Sequence, residues 1–277
     1  MDRELALSVF VLLLGGVAAQ AAGFWPVAPE DVPGGRELER RAWRQIWHPL
    51  APASLVCAAL AGWAWSEPVD AEALPARLLV GALPFALVCL RAGVRAWRAC
   101  FVPADVVAAT VGLLHPRVVI SPRLHATLDE SARRAALLHE EAHARHRDPL
   151  RFWLAQIATD LQWPWPSARR RLLRWIESLE WGRDEEVREQ GIAGEDLAAA
   201  VLAGARLSVN GSRASVGMVP ATARLETRVR RLLEPLVPDA PQRARGALAA
   251  LCVSAAAAVL VGAHFGERLV QALLGAS

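Results

Sequence analysis

Lysine and tyrosine are missing from this chain. Every basic residue is therefore an arginine, and the arginines are scattered rather than gathered on one patch, which argues against a nucleic-acid surface. Without tyrosine, no phenol is available to a catalytic site. Cysteine is scarce: Cys57, Cys89, Cys100 and Cys252 show no paired spacing, and three of them lie in apolar runs. Neither a disulfide framework nor a cysteine zinc site is expected. What the chain has in excess is apolar surface. Of its 277 residues, 54% are hydrophobic, against a net charge of only +3, and that balance points to a membrane protein.

The apolar residues fall into four runs. Leu5 to Phe24 carries no charge and, at ~20 residues, is long enough to span a bilayer. Ala19-Gln20-Ala21 resembles a signal-peptide cleavage site, but Met1-Asp2-Arg3-Glu4 is not basic, so an uncleaved anchor is the expectation. A polar loop with Pro26, Pro29, Pro33, Gly34 and Gly35 follows and turns basic at Arg36, Arg40, Arg41 and Arg44. Pro49 to Trp65 is the second run, with Trp63 and Trp65 placed as interfacial aromatics. An acidic loop with Glu67, Asp70 and Glu72 leads to the third run, Leu74 to Leu90, which contains Pro84 and ends at Arg91, Arg95 and Arg98. Gly246 to Gly266, between Arg245 and Glu267, is the fourth. Basic, acidic, basic is the order of the connections. By the positive-inside rule the first and third face the cytoplasm, the N-terminus faces out, and the long segment from Arg91 to Arg245 is cytoplasmic.

That segment holds Leu137-Leu138-His139-Glu140-Glu141-Ala142-His143, an H-E-x-x-H pattern. On a helix, positions four apart share a face, so His139 and His143 can point at one metal ion, with Glu140 beside them to take a proton from metal-bound water. Thr127-Leu128-Asp129-Glu130 has the form of a capping box with Thr127 as the cap, and Asp148-Pro149 marks a stop. His115 to Pro122 reads as one short strand between prolines, placed either as an edge that could add an extended substrate or as an ordinary buried strand. Leu150 to Trp165, interrupted by Arg151 and Asp160, reads as a helix at the membrane surface.

Two histidines leave a catalytic zinc one protein ligand short. His146 shares their face but lies ~10.5 Å along the helix from His139. Asp160 is a second candidate and Glu177 a third. The best is Glu180, far enough past His143 for a second helix to pack back, with Asp184 four residues on and placed to hold a ligand histidine by its free N–H. Gly182, a poor helix former, stands between the two acids. The alternative is a solvated acidic helix face.

On these residues the chain resembles the BlaR/MecR-type integral membrane zinc metallopeptidases. The likeness runs through the Val118-Val119-Ile120-Ser121-Pro122 strand, His139 to His143, Arg145 to Leu150, and Glu180 with Asp184, together with three spans before that segment and one after. Leu225 to Leu233 looks like the arginine-containing helix such proteins carry ahead of the last span. The resemblance implies zinc held by His139, His143 and Glu180, Glu140 as catalytic base, and Asp184 behind the ligands. It also implies a regulated endopeptidase in signal transduction, in the inner (cytoplasmic) membrane with its active site on the cytoplasmic side, whose protein substrate is of the transcriptional-repressor type. The β-lactam sensors of that family carry an extracellular penicillin-binding domain after the last span; only about ten residues follow Gly266 here, so β-lactam sensing through such a domain is not expected, and a separate sensor subunit is a candidate partner.

The expected architecture is a mainly α multi-pass protein with about four transmembrane helices and a gluzincin-like zinc protease segment carrying a small edge strand. Its divisions are 1–98 (three membrane helices), 99–245 (protease) and 246–277 (last helix and tail). The competing readings are a housekeeping membrane protease of the HtpX or prenyl-protease type and a non-proteolytic signalling scaffold. Candidates for a group to stabilise an oxyanion are His125 and Arg188.

Overall fold

The computed structural model describes residues 3–27, 34–66, 76–100, 107–211, 221–236 and 247–274. The chain is mainly helical, and three helical segments are long and apolar enough to cross a membrane: Glu4–Phe24, Gly35–Ser66 and Ala76–Arg98. The first is built of α1 (Arg3–Phe10), a π-helical turn, α2 (Gly16–Ala21) and a short 3-10 end. The second joins α3 (Gly35–Trp47) through a 3-10 turn at His48–Leu50 to α4 (Ala51–Ser66). The third is α5 (Ala76–Arg98), with Pro84 inside. The acidic connection of Glu67, Asp70 and Glu72, together with Pro29, Pro33 and Arg245, lies outside the described residues.

Between the third segment and the last helix, α12 (Ala247–Leu274), lies a small α+β body. It comprises β1 (Ala108–Val111), β2 (Arg117–Ile120), α6 (Pro122–Thr127), α7 (Glu130–Arg145), α8 (Asp148–Asp160), α9 (Pro166–Glu189), α10 (Gly194–Gly211) and α11 (Ala221–Leu233). The strands form an antiparallel pair in the register Ala108↔Ile120 to Val111↔Arg117. Gly112, at φ 97°, turns between them, where an added Cβ would meet His115 O at 2.6 Å. The strand expected at His115 to Pro122 is thus β2, at Arg117–Ile120, and its partner β1 carries no strong pattern of its own.

Several expectations are corrected. The basic connection after the first run is not a loop. Arg36 to Arg44 forms α3, in which Leu38, Ala42 and Ile46 recur every fourth residue on a buried stripe. Its N-terminus is capped by Glu185 of α9, whose carboxylate accepts the Gly35 N–H at 2.7 and 2.8 Å and the Arg36 N–H at 3.2 Å. Trp63 is not interfacial but packs edge-on to Phe10 inside the helix bundle, whereas Trp65 is exposed. The helix predicted at Leu150 to Trp165 starts two residues earlier and packs Ala155 and Ala158 into the core shared with α3 and α9.

Each membrane segment is tied to this body at one end. Gln20 donates to Leu161 O at 2.9 Å and accepts from Trp165 Nε1 at 2.8 Å. The buried Arg171 donates to the carbonyls of Ala22 and Trp25 at the end of the first segment, at 3.2 and 2.7 Å. Arg91 and Arg95 of α5 hold Asp160 of α8 at 3.0 and 2.9 Å. On the far side, α12 runs against α4 through small residues: a Cβ on Gly262 would fall 1.7 Å from Ala59 O, and one on Gly62 2.1 Å from Val259 O. We expect Gly262→Leu to separate these helices and lower the thermal unfolding midpoint in detergent. Gly93→Leu, whose Cβ meets nothing within 4 Å, should leave it unchanged.

Candidate metal centre

α7 begins at Asp129, whose side chain accepts the Ala132 N–H at 2.8 Å. The cap is therefore Asp129 and not Thr127. Thr127 instead ends α6, its hydroxyl donating to Arg123 O at 2.8 Å within that helix. Alanines fill the inner face of α7: Ala132, Ala135, Ala136 and Ala142 are buried, as are His139 and His143. The helix ends at Arg145. Arg147 then adopts the left-handed conformation (φ 52°, ψ 42°), an unusual one for a side chain with a Cβ, and reverses the chain into α8. Asp148-Pro149 is consequently a helix start, not a stop.

The reversal brings Asp148 back onto the helix it follows. Its Oδ2 lies 2.9 Å from His143 Nδ1. At the other imidazole, Asp184 Oδ1 stands 3.0 Å from His139 Nδ1. A carboxylate can only accept, so the His143 ring with a single proton carries it on Nδ1; at His139 the Arg228 N–H, 3.2 Å from Nε2, needs that nitrogen as acceptor, which leaves its single proton on Nδ1 as well. The two Nε2 atoms are 3.1 Å apart.

Glu180 closes the group. Its carboxylate lies 3.4 Å from His139 Nε2 and 3.7 Å from His143 Nε2. The ligand atoms of His139, His143 and Glu180 all fall within 4.8 Å of one another, and among the described residues this is the group that could hold a metal ion. With metal–ligand bonds of ~2.1 Å, ligand atoms at the corners of a tetrahedron are ~3.4 Å apart, so the spacing fits one small cation. α9 is unbroken through Gly182. That glycine lets α3 approach, since a Cβ there would sit 3.0 Å from Glu39 Oε2.

The other candidates are elsewhere. His146 is on the surface with Glu186 at 2.9 Å, and Asp160 is engaged by Arg91 and Arg95. Glu177 is not in the cluster. Nor do His125 and Arg188 reach it: the His125 carbonyl accepts from Arg133, and Arg188 donates to Glu234 O.

Four residues of the site were not anticipated. Arg228, on α11, donates to both oxygens of Asp184 at 2.8 Å, pairs with Glu180 at 2.8 Å, and has Nη2 3.2 Å from His139 Nε2. Arg183 holds Asp148 with a two-pronged contact of 2.6 and 3.1 Å. Glu39 of α3, itself buried, pairs with Arg183 at 3.3 Å and with Arg151 at 2.6 Å. Thr110 of β1 lies with its hydroxyl 2.8 Å from the Glu140 carbonyl oxygen and 3.0 Å from its Oε2, donating to one at a time. Only Arg228 left a trace in the sequence, in the arginine-containing helix; the rest depend on chain reversal or on pairing across distant elements.

The electrostatics follow from this packing. Burial alone would lower the pKa of His139, but Asp184 and Glu180 beside it push it up to about 9. Burial would raise Asp148, yet the His143 ring and the Arg183 guanidinium hold its carboxyl well below the usual range. Glu180 and Asp184 are likewise held down, against burial, chiefly by Arg228. Three carboxylates and two guanidiniums thus surround the imidazoles, and Asp148, Glu180 and Asp184 are held ionised at neutral pH.

Removing the Asp148 carboxylate leaves Arg183 buried with one partner fewer. We expect Asp148→Ala to cost about 3–5 kcal/mol of stability. The milder Asp148→Asn and Asp184→Asn should weaken metal binding by about 10–100-fold. His146→Asn, at a surface position, should bind as the wild type does; metal titration followed by thermal melting reads all four. Comparison with protein-family models, with curated proteins and with solved structures finds no match to this chain.

Proposed function

We propose that the chain is a membrane-embedded zinc-dependent endopeptidase of the kind its sequence resembles. The observation that carries this reading is the convergence of His139, His143 and Glu180 within 4.8 Å of one another, with Glu140 on the same helix at the lip of a cleft. Zinc is the metal that two imidazoles and a carboxylate in tetrahedral spacing suit best. When bound, it would lower the pKa of a water towards ~7 and polarise a peptide carbonyl.

The chain's own residues supply the rest. Glu140, oriented by the Thr110 hydroxyl, is the base that takes a proton and delivers it to the leaving amine. Asp184 and Asp148 hold the ligand imidazoles in one tautomer and one orientation. Arg228, fixed by two carboxylates with one nitrogen turned to the cluster, is the cation available to stabilise negative charge developing on the substrate carbonyl. It fills the role that the missing tyrosine cannot.

The end-docking of the membrane segments supports the topology read from the arginines. The C-terminal end of the first segment, the N-terminal end of the second and the C-terminal end of α5 all meet the same α7–α9 body. An N-terminus outside, a cytoplasmic active site and α12 as the fourth span agree with that arrangement. Signalling, a repressor substrate and a separate sensor subunit rest on the resemblance alone. The scaffold reading has less in its favour, because a device with no chemistry has no use for a carboxylate at Glu140 lining the same cavity as His143 and Glu180.

Glu140→Gln should retain the metal and lose proteolysis of a casein or peptide-library substrate; full activity in that variant contradicts the mechanism. Arg228→Ala should lower kcat by about 10²–10³-fold with little change in KM, because its charge is needed mainly in the transition state.

A further inference from the structure

Beyond the metal cluster, the structure holds a groove that says what kind of substrate fits. Ser121 N–H donates to Val107 O at 2.8 Å. Bonded pairs alternate along an antiparallel ladder, so in the observed register Ala109 and Val111 turn their N–H and C=O towards β2. Ala108 and Thr110 turn theirs to the opposite edge. Among the described residues no strand covers that edge. The Thr110 side chain meets Glu140, so the open edge runs beside the catalytic carboxylate.

Two cavities flank the cluster along this edge, and Ala108 borders both. One, of about 440 Å³, is bordered by Glu140, His143, Glu180, Asp148 and Thr110 on one side and has Leu113, Phe152, Trp153, Ile176 and Leu179 in its remaining walls. The second, of about 190 Å³, lies beyond His139 and Arg228 and is lined by small and aliphatic residues, among them Ala136, Ala200 and Gly204. No carboxylate lines the smaller one, and those of the larger cavity belong to the cluster and its supports.

The larger cavity is also bordered by Ala99 and Cys100, the residues directly after α5, a membrane-crossing candidate. Trp153 Nε1 donates to Ala96 O at 2.9 Å and holds that wall to the helix end. Leu87, Leu90, Val94 and Trp97 leave the outer face of α5 exposed and apolar to within one turn of the cavity.

Resting on the metalloprotease reading, we infer that the substrate is a membrane-anchored protein, cleaved in an extended apolar segment next to the bilayer. That segment adds as a strand to the open edge of β1. It places a large apolar side chain in the 440 Å³ cavity and a smaller one in the 190 Å³ cavity, on either side of the bond to be cut.

The test uses the full-length zinc-loaded protein in liposomes and quenched fluorescent peptides. Each peptide carries Phe or Leu on one flank of the central bond and Ala on the other, and is supplied free or with a transmembrane anchor. Anchored peptide should be cut at least about tenfold faster than free peptide at equal total concentration. N-methylation should slow cleavage by about tenfold at alternate peptide positions only, those whose N–H faces β1. Asp in place of the flanking apolar residues should abolish cleavage. A Cβ on Gly204 meets nothing within 4 Å, so Gly204→Leu fits and should partly fill the smaller cavity. It should reject peptides with a bulky residue on that flank and keep those with Ala.

Equal rates for free and anchored peptide would overturn the membrane-anchored substrate. Indifference to N-methylation would overturn strand addition. Cleavage of the Asp peptides would overturn the apolar specificity. Should no peptide be cut by the zinc-loaded protein, the metalloprotease reading itself fails and this inference with it.

Discussion

The site depends on two carboxylate–imidazole contacts, Asp184 with His139 and Asp148 with His143. Without them the rings would be free to rotate or to carry their protons on the wrong nitrogen, and four-residue spacing alone would not make a metal site. Each carboxylate is buried and needs a cation of its own. Arg228 supplies it for Asp184 and Arg183 for Asp148. Arg183 is in turn balanced by Glu39, which stands on α3, the first helix of the second long segment. Such a chain of buried charges adds little net stability over an apolar core, since desolvation offsets most of the attraction. What it does is make one geometry far better than its neighbours, and a metal site needs that.

The three long apolar segments and the body that carries the His139–His143–Glu180 cluster are therefore joined at several points. Arg171 covers the last carbonyls of the first segment, Glu185 caps the first turn of α3, and Asp160 is clamped by two arginines of α5. All three contacts join the polar end of a membrane helix to α8 or α9, the helices that carry Asp148, Glu180 and Asp184. From α3 the connection runs side chain to side chain, through Glu39, Arg183 and Asp148 to the His143 ring.

Local periodicity made part of this legible beforehand. His139 with His143, and Glu180 with Asp184, are each four apart on helices, and helix geometry brings each pair onto one face. The apolar runs were legible because a membrane helix needs only length and composition. Other features depend on partners far away in sequence. Asp148 reads as a stop until Arg147 is seen in a left-handed turn, which no arginine advertises. α3 reads as a basic loop because its charges outnumber its apolar stripe, and its cap comes from Glu185. Thr127 reads as the cap because Glu130 stands three residues on, but the short α6, opened by Ser121-Pro122, claims Thr127 and leaves Asp129 to cap α7. β1 is four unremarkable residues that become a strand only against β2.

The central claim is that His139, His143 and Glu180 bind one metal ion together. The most direct measurement is the metal content of detergent-purified protein, wild type beside Glu180→Ala, after loading with zinc and gel filtration. The account predicts one zinc per chain in the wild type and its loss, or a much weakened hold on it, in the variant. Zinc retained at full stoichiometry by Glu180→Ala, or absent from the wild type after loading, would contradict it.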